Sequence, residues 1–302
     1  MLLSVEFLEI VIICGKGLEA ICEAEWQRKC QNQKYTIYHE DGRIKIQFIG
    51  QLTPDQEIQI RSTLLKIHCF EKIYFFLNET DSKIPRKSLS EHQIRSHIEE
   101  SFSILASKSF SPTVERVSYL KKTISTQIQF QCPDINPQLT QKQILGVIQK
   151  IAKRFGRSTE FNRDNLTFSI WIGPNSIRTL LDLEYPPGNL PQLELHPTGL
   201  FPSFAYGLIQ SALSQWISAN PNRPNEPIRI IDPMMGVGII PLLLLKEAED
   251  STSLIAVRNL QCKIWGIEKE AAFFEKAQKN LKHAMKSKQI SVFNQDFQTE
   301  QS

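Results

Sequence analysis

A long apolar run, a cysteine pair and a marked excess of one charge are all missing from this 302-residue chain, and each absence excludes a class of protein. The longest apolar stretch, Ile239 to Leu245, has seven residues and contains Pro241, against the ~20 that a bilayer-crossing helix needs. The six cysteines (Cys14, Cys22, Cys30, Cys69, Cys132 and Cys262) include no CxxC. Neither a disulfide framework nor a cysteine-rich zinc site is indicated, and a reducing compartment fits best. Gly (13) and Pro (16) are too scarce for a collagenous or disordered chain,. The opening MLLSVEFLEIVIIC lacks an early Lys or Arg and carries Glu6 and Glu9, which argues against a signal peptide and for an intracellular strand. The expected location is cytoplasmic or nuclear.

The formal net charge is only +3, but the charge is unevenly placed. From Ser101 to Ser158 nine basic residues stand against Glu115 and Asp134, a local +7,.

Within what is present, the apolar alternation of Val5 to Cys14 predicts a strand, and Leu18, Ile21, Cys22 and Trp26 mark one face of a following helix,. Tyr35 to Tyr38 and Arg43 to Phe48 predict a hairpin around Asp41-Gly42,. A helix opened by Thr53-Pro54 and a strand from Lys72 to Leu77 complete a small α+β unit,. A polar connection with a helix near His92 to Leu105 leads to a second unit. It has a β-rich run over Val117 to Phe130, a helix over Thr140 to Phe155, and strands at Leu166 to Ile172 and Ile177 to Leu183. Pro186, Pro187, Gly188, Pro191 and Pro197 then break all periodicity,. Beyond them strands and helices alternate: strand Ile228 to Ile231, a helix to Glu247, strand Lys263 to Ile267, a helix to Lys286 and strand Ile290 to Phe293. That order marks a parallel, doubly wound sheet.

The segment with most chemistry in it is Arg229-Ile-Ile-Asp-Pro-Met-Met-Gly-Val-Gly238, where a buried-type strand ends in Asp232 and turns through two glycines into an apolar helix. Gly236 and Gly238 let a ligand approach the backbone, and the helix start offers unpaired N–H groups. An ordinary tight βα turn would contain the same residues. The next strand ends in Trp265-Gly-Ile-Glu268 and the third near Asp296. An acid at the second strand end is placed to accept ribose hydroxyls. The 36 residues from Asp232 to Glu268 exceed the usual ~20, an excess explained by a polar insertion over Lys246 to Cys262. On the helix Thr140 to Phe155, Ile144, Ile148, Ile151 and Phe155 form one stripe and leave Lys142, Lys150, Lys153 and Arg154 on the remaining surface,. With Lys121, Lys122 and Arg157 these cations suit phosphate binding, though a solvated face would read alike. The six histidines show no metal pattern,. His68 beside Cys69, and the pair Phe273-Phe274, read as packing residues.

On these segments the chain resembles the RNA methyltransferases that carry a THUMP domain before an S-adenosylmethionine-binding Rossmann-like domain. Asp232-Pro-Met-Met-Gly-Val-Gly238 looks like the family's D-P-M-C-G-x-G motif, with Met235 in place of the usual cysteine. His196-Pro-Thr-Gly-Leu-Phe-Pro-Ser-Phe-Ala-Tyr-Gly207 resembles the helix start that precedes it. Cys14-Gly-Lys-Gly-Leu-Glu19, Gly42-Arg-Ile-Lys-Ile-Gln-Phe48 and Arg61 to Leu77 are similar to the first domain of the eukaryotic THUMP proteins that modify guanine at N2.

The resemblance implies a ferredoxin-like α+β domain over 1–110, a THUMP RNA-binding domain over 111–190 and a partial S-adenosylmethionine-dependent α/β methyltransferase domain over 191–302. It implies S-adenosylmethionine as cofactor, with Asp232, Gly236 and Gly238 at its methionine end, Glu268 on its ribose, Asp296 toward its adenine and Thr198 as a further methionine-end residue. The implied partners are tRNA or small nuclear RNA and a small zinc-binding activating subunit. The family's catalytic N/D-P-P-F/Y motif has no counterpart before Ser302. The expectation is therefore an RNA guanine-N2 methyltransferase sequence that stops short of its acceptor-base pocket and is inactive by itself. The alternative is a non-catalytic THUMP RNA-binding protein or a degenerate paralogue.

Overall fold

A computed structural model describes residues 9–81 except 32 and 51, 91–106, 124–130, 145–146, 149–150, 166–172, 176–190 except 184, 199–221, 228–257, 262–282, 285 and 290–295. The chain begins with β1 (Glu9–Ile13), α1 (Glu19–Lys29), the hairpin β2 (Tyr35–Glu40) and β3 (Arg43–Phe48), α2 (Pro54–Leu64) and β4 (Lys72–Asp81). The hairpin turns at Gly42, which takes φ +73°, a value glycine adopts without a Cβ penalty. Thr53 and Gln56 start α2 with a reciprocal capping box, and Pro54 occupies its first turn,. In β3 the buried residues Ile44, Ile46 and Phe48 alternate with half-exposed ones, so one face of the sheet meets the core. There Trp26 of α1 packs edge-on against Tyr35 and Phe48 at 6.3 and 6.2 Å between ring centroids,.

After α3 (Glu91–Ala106) come β5 (Ile124–Phe130), β6 (Leu166–Ile172) and β7 (Ser176–Asp182). These strands extend the first sheet, whose order is β2-β3-β1-β4-β7-β6-β5. Only β5 and β6 pair in parallel; β4 and β7 pair antiparallel with an irregularity between Phe76 and Asn78. The division expected near residue 110 thus falls between β4 and β5 of one hydrogen-bonded sheet. Helix α3 lies on the same face as the core, where its buried His97 bonds Thr179 Oγ1 of β7 at 2.9 Å.

The sheet changes after the short 3-10 turn Pro187–Asn189. Beyond it stand α4 (Pro202–Ala219), β8 (Ile228–Asp232), α5 (Ile239–Glu249), α6 (Leu254–Val257), β9 (Cys262–Ile267), α7 (Ala271–Asn280) and β10 (Ile290–Phe293). The three strands form a parallel sheet in the order β10-β9-β8. The polar insertion foreseen over 246–262 contains the end of α5 and all of α6. A single cluster of buried apolar side chains runs from Ile10 of β1 to Ile290 of β10. Phe273 and Phe274 pack against it from α7, whose Ala277, with the adjoining Leu281, is fully buried.

Candidate cofactor site

Parallel strands feeding helices leave a crevice beyond their carboxyl ends, the place where open α/β sheets bind ligands. Here that crevice is bounded by the turn from Asp232 to Gly238 and by the end of β9. Asp232 closes β8 as a 9% exposed carboxylate. Its Oδ1 accepts the Met234 N–H at 3.3 Å. Burial raises its pKa above the ordinary carboxylate range; the Met234 N–H opposes this and the charge of Glu268 adds to it,.

The next residues are pinned to β9. Met235 N–H donates to Ile267 O at 2.9 Å, and Gly238 N–H to Met235 O at 2.9 Å. Gly236 N–H donates to Glu268 Oε2 at 2.7 Å, and the other oxygen of Glu268 accepts Glu270 N–H at 2.8 Å. Glu268 is itself only 8% exposed. Its backbone joins the end of β10, through its N–H to Phe293 O at 3.0 Å and its O to Asn294 Nδ2 at 3.0 Å. The carboxylate that the sequence placed on the ribose is therefore already oriented by two backbone donors, each leaving a lone pair for a further donor.

The two glycines separate into different tasks. Both have positive φ, +56° at Gly236 and +84° at Gly238. A Cβ on Gly236 would meet nothing within 4 Å, so this backbone faces open space, as a ligand cradle requires. A Cβ on Gly238 would lie 3.0 Å from Leu281 Cδ1 and 3.6 Å from Ala277 Cβ. Gly238 admits α7 against the start of α5, which adds a packing reason to the cofactor role expected of it.

One pair escaped the sequence reading. Met235 is buried, and its side chain lies along Gly266, the last residue but one of β9, so that a Cβ there would fall well inside contact with its sulfur. The signal was available: a glycine inside a strand marks close approach by another group, and Met235 is longer than the cysteine usual in the motif it resembles.

Thr198 and Asp296 lie outside the described residues, as do Lys121, Lys122, Lys142, Lys153, Arg154 and Arg157. Lys150 is described, in helical conformation and exposed. The structure thus brings together Asp232, Gly236, Gly238 and Glu268. Among the described residues no cluster of His, Cys, Asp and Glu suits a metal ion, and no helix is long and apolar enough to cross a membrane.

The sequence matches no protein-family model and no curated protein. Solved structures do match. TrmN from Thermus thermophilus aligns with a TM-score of 0.60 at 13% identity, over 96% of this chain and 73% of that one. A predicted N6-adenine-specific DNA methylase from Listeria monocytogenes aligns with a TM-score of 0.59 at 14% identity, over 96% and 75% of the two chains. The protein SMU.472, solved in complex with SAH, aligns with a TM-score of 0.56 at 14% identity, over 96% and 75%. At these identities the likeness is one of fold: the chain shares its mixed α/β architecture, N-terminal units included, with structures of the methyltransferase type.

Proposed function

We propose that this protein serves RNA methylation with S-adenosylmethionine as the methyl donor, acting at guanine N2 of tRNA or small nuclear RNA inside the cell. The observation that carries the reading is the open side of Gly236 beside the oriented carboxylate of Glu268 and the buried carboxylate of Asp232. That arrangement fits the cofactor: a bare backbone for its amino-acid end and an acid for its ribose hydroxyls. Bound there, S-adenosylmethionine supplies a methyl group activated on a sulfonium. Asp232 and Gly236 would hold the methionine end with Thr198, Gly238 would keep the turn shaped, Glu268 would hold the ribose, and Asp296 would face the adenine.

One aligned structure, solved in complex with SAH, supports the cofactor; another is described as a predicted N6-adenine-specific DNA methylase, whose acceptor is likewise an exocyclic base amine, there on DNA. RNA as the partner rests on the basic residues of 101–158 and on the THUMP resemblance. Lys121, Lys122, Lys142, Lys150, Lys153, Arg154 and Arg157 are the proposed phosphate contacts.

The test has two arms. In calorimetric titration with S-adenosylhomocysteine, the wild type binds and Gly236→Val does not, because a branched side chain at φ +56° both strains the turn and fills the cradle,. Equal binding by both proteins refutes the site. In RNA binding measured across salt concentrations, changing Lys150, Lys153 and Arg154 to Ala lowers the salt slope by ~0.7 to 0.9 per lost contact. An unchanged slope removes RNA from the proposal.

A further inference from the structure

Far from the glycine turn, the other end of α5 is held by a buried ammonium from the N-terminal unit. Lys29, the last residue of α1, has a fully buried side chain, as do Glu25 and Glu247, and Asp250 is 11% exposed. Its Nζ lies 2.8 Å from Glu25 Oε1, 2.6 Å from the Lys66 backbone O, 3.0 Å from Asp250 Oδ2 and 3.7 Å from Glu247 Oε1. An ammonium has three N–H donors. Glu25 and Lys66 accept two of them, while Asp250 and Glu247 add ion-pair neighbours. Burial alone would favour the neutral amine, but the charges of Glu25, Glu247 and Asp250 hold the Lys29 pKa above its ordinary value,.

Two of the carboxylates are tied in turn to other elements. Glu25 accepts the backbone N–H of His68 and of Cys69, both at 2.8 Å. Glu247 accepts Tyr206 Oη–H at 3.0 Å and Gln210 Nε2–H at 2.9 Å, both from α4. Arg28 reaches across to the same two side chains, Tyr206 Oη at 3.2 Å and Gln210 Oε1 at 3.3 Å. The cluster joins α1 and the loop after α2 to α4 and to the last turn of α5, where a cation also suits the helix dipole.

Buried ion clusters add little net stability compared with apolar packing of the same volume; in some proteins they instead select one arrangement, because any other leaves a buried charge unpaired. Helix α5, the eleven residues Ile239–Glu249, is about 16 Å long at 1.5 Å per residue,. We propose that Lys29 is a positioning residue: it locks the seven-stranded sheet at one orientation relative to the cofactor turn, so that RNA held by the basic residues of 101–158, whose β5 belongs to that sheet, is presented at a set distance to the turn. The orientation lock stands on the geometry alone; its consequence for RNA rests on the function proposed above.

The decisive variant is Glu247→Gln/Asp250→Asn, which leaves the Glu25–Lys29 pair intact and removes the two charges that meet Lys29 from α5; Glu247→Ala, which deletes the Tyr206 and Gln210 bonds but keeps Asp250, reports what those bonds within the C-terminal unit contribute. Spin labels on exposed Ile58 of α2 and exposed Gln278 of α7 report the orientation in the full chain. The wild type should give one narrow distance distribution. The double variant, with unchanged circular dichroism, should give a broadened one or one displaced by about 2 Å or more, the scale that separates rearranged units from rigid ones. S-adenosylhomocysteine affinity should stay within about two-fold, because neither changed residue belongs to the cofactor turn. Should the double variant not fold, Asp250→Asn alone, at the cluster's least buried carboxylate, carries the same comparison. A folded variant with the wild-type distance distribution overturns the lock. Absence of S-adenosylhomocysteine binding and of RNA binding in the wild type defeats the function and leaves the distance result to decide the lock.

Discussion

The contact between Met235 and Gly266 allows a quantitative test of how the cofactor turn is seated. In Gly266→Ala the new Cβ falls inside contact with Met235 Sδ and sits 3.1 Å from Cγ and 3.5 Å from Cβ. Met235 has little room to move: it is 4% exposed, and its backbone is bonded to Ile267 and to Gly238. Overpacking of this kind costs ~1–3 kcal/mol, offset by ~0.4–1 kcal/mol because alanine restricts the unfolded chain. A net loss of about 1–2 kcal/mol in urea unfolding of the full chain is expected. Met235→Ala alone should cost ~2–5 kcal/mol through the cavity it leaves. Combined, the two changes should cost less than their sum by about 1–2 kcal/mol, since alanine at 235 leaves only the Cβ at 3.5 Å, an ordinary contact,. The turn should register the same strain: pushing Met235 away moves the Gly236 N–H off Glu268, so exchange of the Gly236 amide speeds up and S-adenosylhomocysteine binds more weakly in Gly266→Ala. Additivity within ~0.5 kcal/mol would refute the reasoning, because the two residues would then not touch in the way described.

Acid should destabilise the fold through two buried histidines. Burial depresses the pKa of His68 to about 4, with Glu25 opposing, and that of His97 to about 4, with Glu79 opposing. The folded state then binds fewer protons than the unfolded chain, so the stabilisation is complete above about pH 6.5 and is lost as pH falls toward 4, by roughly 3 kcal/mol for each histidine. Urea midpoints that stay level across this window would contradict it, and His97→Asn should flatten about half of the dependence. Glu268→Gln turns one acceptor toward a backbone donor into a second donor. It leaves Gly236 or Glu270 N–H unpaired at ~1–3 kcal/mol and should weaken S-adenosylhomocysteine about ten-fold in calorimetry; unchanged affinity would show that Glu268 only braces the strand end.

How far residues alone reach can be judged from the C-terminal unit. Its alternation of strand and helix, the glycine turn and the acids at two strand ends are contiguous features, written in periods of 2 and 3.6 and in backbone-permissive residues, and all were legible. So were the Asp41-Gly42 hairpin and the Thr53 cap, which depend on neighbours within a few positions. Periodicity states which face is buried but not what buries it. The pairing of β4 with β7, which carries one sheet through the N-terminal part, joins residues about 100 positions apart along the chain, and no local pattern encodes that choice. The same holds for Gly238, legible as a turn residue but set by Leu281, and for Met235, legible as a motif position but set by Gly266. Lys29 is the clearest case. In sequence it is one cation at the end of an amphipathic helix, where solvent exposure is the ordinary outcome; only the packing of α1 against α4 and α5 surrounds it with Glu25, Glu247 and Asp250 and turns a surface charge into a buried one. Local chemistry, carried by chain neighbours, determined the elements and the acids at the candidate site. Tertiary structure decided which distant side chains share a low-dielectric space, because burial and charge pairing act between groups that the chain order keeps apart.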